Sequence, residues 1–191
     1  MPPLRRPQPD VIDRFFRPQA RQDFPPPPAQ GLVWFLGRAH FGKNPVPSQT
    51  KTELRRLVRA QLARMTPAAA ATASESIRTS IPSLPRWQAA RVVAAYAALP
   101  GEPDLRPLDW LPERQLLLPR VAGEHLVFHA FSDLAQLKSG AFGVLEPDPA
   151  QCPEADAASA GIIFVPGIAF TEDGQRLGRG RGYYDRLLAT L

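Results

Sequence analysis

An α/β layered domain is the fold class this sequence predicts for residues 50–191, and three observations predict it. Two helix-period stretches open the region, each with its own N-cap, at Thr50 and Thr66. Apolar runs of strand character follow at 91–99, 115–118, 125–131 and 161–165. The two kinds of segment lie in an order that suits a sheet layered against helices.

The elements can be justified in turn. Thr50-x-x-Glu53 is a capping-box pattern, and Leu54, Leu57, Val58, Leu62 and Met65 follow on one helical face. Thr66-Pro67 supplies an N-cap and an N1 proline for a second helix, which runs through an Ala-rich stretch to about Thr79. Arg91-Val-Val-Ala-Ala-Tyr-Ala-Ala-Leu99 reads as a buried strand ending in the turn Pro100-Gly-Glu-Pro103. A short helix is expected around 105–111, limited by Pro107 and Pro112. Gln115-Leu-Leu-Leu118 reads as a strand stopping at Pro119, and 125–131 alternates as a further strand. The continuous apolar run Gly161-Ile-Ile-Phe-Val165 suits a sheet centre.

Residues 1–49 read differently. Pro25 to Pro28, the Arg5-Arg6 pair and Asn44-Pro-Val-Pro47 interrupt every period, so the segment is expected to be a disordered N-terminal extension. Only residues 31–41 are apolar enough to pack on anything. The net charge of +5 divides unevenly. Residues 1–50 carry seven Lys/Arg against three Asp, a net of +4, while 51–191 carry sixteen against fifteen, a net of +1. The basic character thus belongs mainly to the tail, which weakens a nucleic-acid reading of the body. The single cysteine, Cys152, excludes an intramolecular disulfide and a cysteine-based zinc cluster. No apolar run approaches the roughly eighteen residues of a membrane span, so the expected location is the cytoplasm.

The densest chemistry lies near the carboxyl end. Gly178, Arg179, Gly180, Arg181 and Gly182 alternate, with Arg176 just upstream. An apolar strand leads in, and Tyr183-Tyr-Asp-Arg-Leu-Leu188, of helical character, leads out. Glycines let the backbone approach a ligand closely, and arginines supply charged forks that match phosphate oxygens. A strand, such a loop and then a helix start form an arrangement that binds polyphosphate. It is not the dinucleotide fingerprint, because the glycines run G-x-G-x-G and no chain remains for an acid about twenty residues on. Nor does it resemble an RGG tract, which repeats in disordered surroundings, whereas this string occurs once between a strand and a helix. His40, His125 and His129 stand apart from these motifs, so no Ser/His/Asp or Cys/His arrangement competes.

Four stretches together resemble the 5-formyltetrahydrofolate cyclo-ligase family, also called 5,10-methenyltetrahydrofolate synthetase. They are Lys51-Thr-Glu-Leu-Arg55, Ala95-Tyr-Ala-Ala-Leu-Pro-Gly-Glu102, Phe142-Gly-Val-Leu-Glu-Pro147, and Phe164-Val-Pro-Gly-Ile-Ala-Phe170 through Asp185. The resemblance implies a three-layer α/β/α Rossmann-like sheet and an ATP- and Mg²⁺-dependent enzyme. That enzyme would phosphorylate the formyl oxygen of 5-formyltetrahydrofolate and close the ring through N10, giving 5,10-methenyltetrahydrofolate, ADP and phosphate. Carried over by position, Lys51, Thr52, Glu53, Leu54 and Arg55 would contact ATP. So would the loop from Arg176, Leu177, Gly178, Arg179, Gly180, Arg181 and Gly182 to Tyr183 and Tyr184. Arg55, Ala97, Glu102, Arg179, Gly180, Arg181, Gly182 and Tyr183 would contact the folate, Arg176 would be the catalytic cation, and Asp185 would hold the metal. The expected partner is the small-molecule folate, with no membrane, no nucleic acid and a monomeric state. Two departures bear on this. Thr171 stands where the family has an acidic residue, and the chain stops at Leu191, six residues after Asp185. The resemblance implies further C-terminal strands and a second acid, so one unpaired sheet edge and an incomplete metal site are expected. A non-catalytic relative that retains nucleotide binding is the alternative reading.

Overall fold

The computed structural model describes residues 33–35, 50–106, 113–171 and 174–191. Its centre is a six-stranded sheet in the order β1-β8-β2-β3-β4-β7. These strands are β1 Val33–Phe35, β2 Val92–Ala94, β3 Gln115–Ala122, β4 His125–Phe131, β7 Glu154–Ala155 and β8 Ile162–Val165. The β1–β8, β8–β2 and β2–β3 pairs are parallel; β3–β4 and β4–β7 are antiparallel. Two small hairpins lie outside the sheet: β5 Leu137–Ser139 with β6 Leu145–Pro147, and β9 Ala169–Phe170 with β10 Arg176–Leu177.

Alternation along the parallel strands separates two cores. Ile162, Phe164 and Val93 face one side, where they meet Ile77 of α2 (Pro67–Ser80), Ile81, and Trp87 of α3 (Pro85–Ala89). Ile163, Val165 and Ala94 face the other, against Leu187 and Leu188 of α4 (Tyr183–Leu188). All four residues of β8 are buried, as a strand covered on both faces requires. The result is the expected three-layer arrangement.

The first helix, α1 (Lys51–Leu62), belongs to a third cluster. Its Val58 and Leu62 pack on Ile168, Ala169 and Leu177 of the β9–β10 hairpin. The predicted capping box is present, with Glu53 N–H donating to Thr50 Oγ1 and Thr50 N–H donating to Glu53 Oε2 at 2.9 Å. The packing of Val58 and Leu62 fastens α1 to residues 168–177.

Two expectations are revised. The strand read over 91–99 leaves the sheet after Ala94, because residues 96–102 turn away to wall a cavity. The strand at 115–118 runs on through Pro119 to Ala122. Leu117 turns its carbonyl to Ala95 on the β2 side, so Pro119, two residues on, puts its missing N–H on that same side, beyond the last β2 pairing. Val33–Phe35 pairs with β8, so among the described residues the sheet ends on β1 at one side and on β7 at the other. The helix expected around 105–111 falls largely on residues outside the described ones; Leu105 is buried and non-helical. The remainder of the extension also lies outside them. Among the described residues, no helix is long and apolar enough to cross a membrane.

Candidate functional site

The parallel strands point their carboxyl ends at one cavity of about 360 Å³, where open α/β sheets hold ligands. The chain leaving β2 contributes Tyr96, Ala97, Leu99 and Glu102; the far half of β3 contributes Pro119 and Val121; the chain leaving β8 contributes Pro166 and most of 176–185. Leu126, Phe142 and Val144 extend the apolar wall, and Arg55, Arg59, Arg176, Arg179 and Arg181 make the rim cationic. An apolar chamber beneath a ring of guanidinium groups suits a ligand with a flat ring system and an anionic tail.

Each arginine has its own anchor. Arg55 donates Nε–H to Gly178 O at 2.9 Å, and Arg59 donates to Arg179 O at 2.9 Å. One turn of α1 separates the two donors, so the helix holds consecutive carbonyls of the glycine-rich loop. Arg176 has a side chain only 9% exposed, donates to Pro166 O at 3.0 Å and pairs with Asp185. Its guanidinium runs so close beneath the loop that a Cβ on Gly178 would come within 2.8 Å of Nη1. Gly182, at φ 73°, makes the left-handed turn into α4 that a side chain would strain. Arg179 donates Nε–H to Glu102 Oε1 at 2.8 Å and also bonds Pro100 O. Glu102 has a side chain 4% exposed and takes a second bond from Leu99 N–H at 3.0 Å. Arg181 is exposed and lies 5.5 Å from the centre of the Phe142 ring.

Tyr184 adds a polar group on the inner side. Burial, with Glu102 nearby, pushes its phenol far above the ordinary range. Its buried hydroxyl, which has no hydrogen-bond partner among the described residues, therefore stays protonated and able to donate. Tyr96 is similarly raised by burial and donates to Pro103 O at 2.8 Å.

The structure gathers most of the predicted residues and leaves a few aside. Arg55, Ala97, Glu102, Arg176, Gly178 to Gly182, Tyr183, Tyr184 and Asp185 all line the cavity. Lys51, Thr52, Glu53, Leu54 and Leu177 do not. Lys51, Thr52 and Glu53 are exposed in the first turn of α1, and Glu53 serves the cap. The six-residue α4 is too short to add much dipole, so the positive charge at this rim comes mainly from the arginines. Arg59, Tyr96, Phe142 and Glu146 were not singled out by sequence reasoning. Glu146 is buried and accepts from Ala141 N–H at 3.1 Å, which bridges the turn that presents Phe142. Phe142 itself is 52% exposed at φ 59°, an unfavourable backbone for an aromatic residue, and its ring meets Tyr183 at 6.3 Å. Phe142 and Glu146 lie within the Phe142–Pro147 stretch and Tyr96 within Ala95–Glu102, but no individual role came with those positions, and Arg59 lies outside all four stretches.

Fold and cavity together define a small α/β domain whose apolar chamber opens beneath an arginine-bearing glycine loop. Comparison with known proteins makes the class specific: the chain belongs to the 5-formyltetrahydrofolate cyclo-ligase family, whose model matches residues 47–191. The 5-formyltetrahydrofolate cyclo-ligase of Haemophilus influenzae is 26% identical, over 74% of this chain and 79% of that protein. That of Mycolicibacterium smegmatis is 34% identical, over 51% and 55%. The solution structure of Aquifex aeolicus 5,10-methenyltetrahydrofolate synthetase is 37% identical and superposes with a TM-score of 0.65, covering 73% of this chain and 72% of that one.

Proposed function

We propose that the protein converts 5-formyltetrahydrofolate to 5,10-methenyltetrahydrofolate with consumption of ATP and release of ADP and phosphate. The observation that carries the reading is one cavity in which a buried carboxylate, Glu102, lies beside an apolar wall while five loop and helix arginines, Arg55, Arg59, Arg176, Arg179 and Arg181, crowd its rim. The chamber supports a pteridine and its attached aromatic ring, with Glu102 turned to ring nitrogens and Ala97 leaving room beside it. Phe142 and Tyr183 offer aromatic faces at the mouth. Phosphoryl transfer asks a protein for positioning and charge neutralisation, which the rim arginines can supply.

Arg176 is the group assigned to the transferring phosphoryl charge, because its guanidinium is withdrawn from water and held from two directions. Tyr184 retains its proton and can donate to a bound oxygen. Asp185 fits a magnesium ion of the kind that nucleotides bring with them: its carboxylate is 73% exposed at the rim, and Mg²⁺ sites of this type need only one or two carboxylates besides phosphate and water. The ion supplies neutralisation of the triphosphate when bound. Among the described residues there is no cluster of three or more metal-ligating side chains. The same reading has the enzyme act in the cytoplasm as a monomer.

The test is direct. The chain is incubated with 5-formyltetrahydrofolate, ATP and Mg²⁺, and the near-ultraviolet absorbance of the methenyl product is followed. ATP-dependent growth of that band is expected; a folded protein that forms none overturns the reading.

A further inference from the structure

The ion pair between Glu102 and Arg179 joins residues 77 positions apart and links the two halves of the cavity. Glu102 uses one oxygen on Leu99 N–H and the other on Arg179 Nε–H, while a terminal nitrogen of Arg179 bonds Pro100 O. The guanidinium thus presents two adjacent N–H donors, one to a carboxylate and one to a carbonyl. A 2-amino-4-oxopteridine edge carries the same pattern, with N3–H beside the exocyclic amine. A pteridine that sets this edge against Glu102 Oε1 and Pro100 O takes the place that Arg179 holds.

We propose that Arg179 is a coupling latch: it pairs with Glu102 until a pteridine replaces it, and its freed guanidinium then joins the rim cations that hold the polyphosphate. This rests on the functional reading above. Three features support it. Glu102 is too buried to be left without a partner, so exchange of one two-donor edge for another is less costly than removal of Arg179 alone. The Arg179 side chain is 30% exposed, so it has room to turn outward. The loop backbone need not follow, because Arg55 and Arg59 hold the carbonyls of Gly178 and Arg179. Linkage then requires each ligand to favour the other: nucleotide that captures Arg179 also vacates Glu102 for the folate.

The experiment measures four dissociation constants by calorimetry, using 5-formyltetrahydrofolate and a non-hydrolysable ATP analogue with Mg²⁺, each alone and in the presence of the other. Wild-type protein is expected to bind each ligand about tenfold more tightly when the other is present, within the usual range of coupling between sites. In Arg179→Ala the coupling should fall to nothing, and the folate, now without a competitor, should bind more tightly alone than it does to wild type. Arg179→Gln keeps an amide donor for Glu102 and serves if the alanine variant does not fold; it should likewise lose the coupling. Undiminished coupling in either variant overturns the latch, as does independent binding of the two ligands to wild type. If wild type binds neither ligand, the functional reading fails and the latch fails with it; if both bind independently, only the latch fails.

Discussion

Arg176 shows how a single side chain can be both structural and chemical. Its guanidinium takes up Pro166 O and Asp185 and lies 6.0 Å from the centre of the Tyr184 ring, so its direction is set before any ligand arrives. Preorganised charge of this kind is worth most where water is excluded. Arg176→Ala should therefore lower kcat by about 10²–10³-fold, the loss typical of one electrostatic contact to a transition state. Folate affinity should change far less, because the apolar wall and Glu102 remain. Steady-state kinetics alongside direct folate binding checks this, and a KM effect with kcat retained would reassign Arg176 to binding. The residue was legible because it stands within a dense local motif. Tyr96, Phe142 and Arg59 were not, since an isolated aromatic or arginine gains meaning only from neighbours that the fold brings to it.

The elements show the same division between local and distant signals. The capping boundaries of α1 and α2 were readable, because a cap is written within four residues. What α1 docks against was not readable: the β9–β10 hairpin has two-residue strands without usable periodicity. The first turn of α1 separates a resemblance-based role from a structural one. Glu53 was expected to contact ATP, yet it is exposed, outside the cavity lining and bonded to Thr50. The Thr50 backbone N–H, then its hydroxyl, lower the Glu53 pKa. A carboxylate lowered in the folded state contributes stability that is fully present above its unfolded pKa, about 4.3, and is lost as pH falls through the folded value. Glu53→Ala should thus be less stable than wild type at pH 7, and the gap should narrow on acidification towards pH 3. Its nucleotide affinity should be unchanged. Denaturant titrations at the two pH values and a binding measurement decide the matter; weakened nucleotide binding would restore the ligand role.

Across the whole molecule, the cavity is made by four chain regions distant in sequence: α1, the chain after β2, the β3–β4 and β5–β6 hairpins, and the segment from β8 to α4. The layers were legible from alternating apolar runs, because each strand's burial is set by its own period. The gathering of these regions was not, since it depends on sheet order, and β8 lies between β1 and β2 despite its late place in the chain. A ligand that touches all four regions should bind the folded chain and not the unfolded one. At about 100 times its dissociation constant it should add roughly 2.7 kcal/mol to the unfolding free energy. For a domain of this size that corresponds to a rise in Tm of about 5–10 °C. The ATP analogue with Mg²⁺ and 5-formyltetrahydrofolate should each raise Tm, and together they should raise it by more than the sum of the separate shifts if Arg179 couples them. Thermal scans at fixed ligand excess measure this directly. A shift with nucleotide but none with folate would mean that the apolar half of the cavity serves a different ring system, whereas no shift with either would separate the fold from the activity of its family.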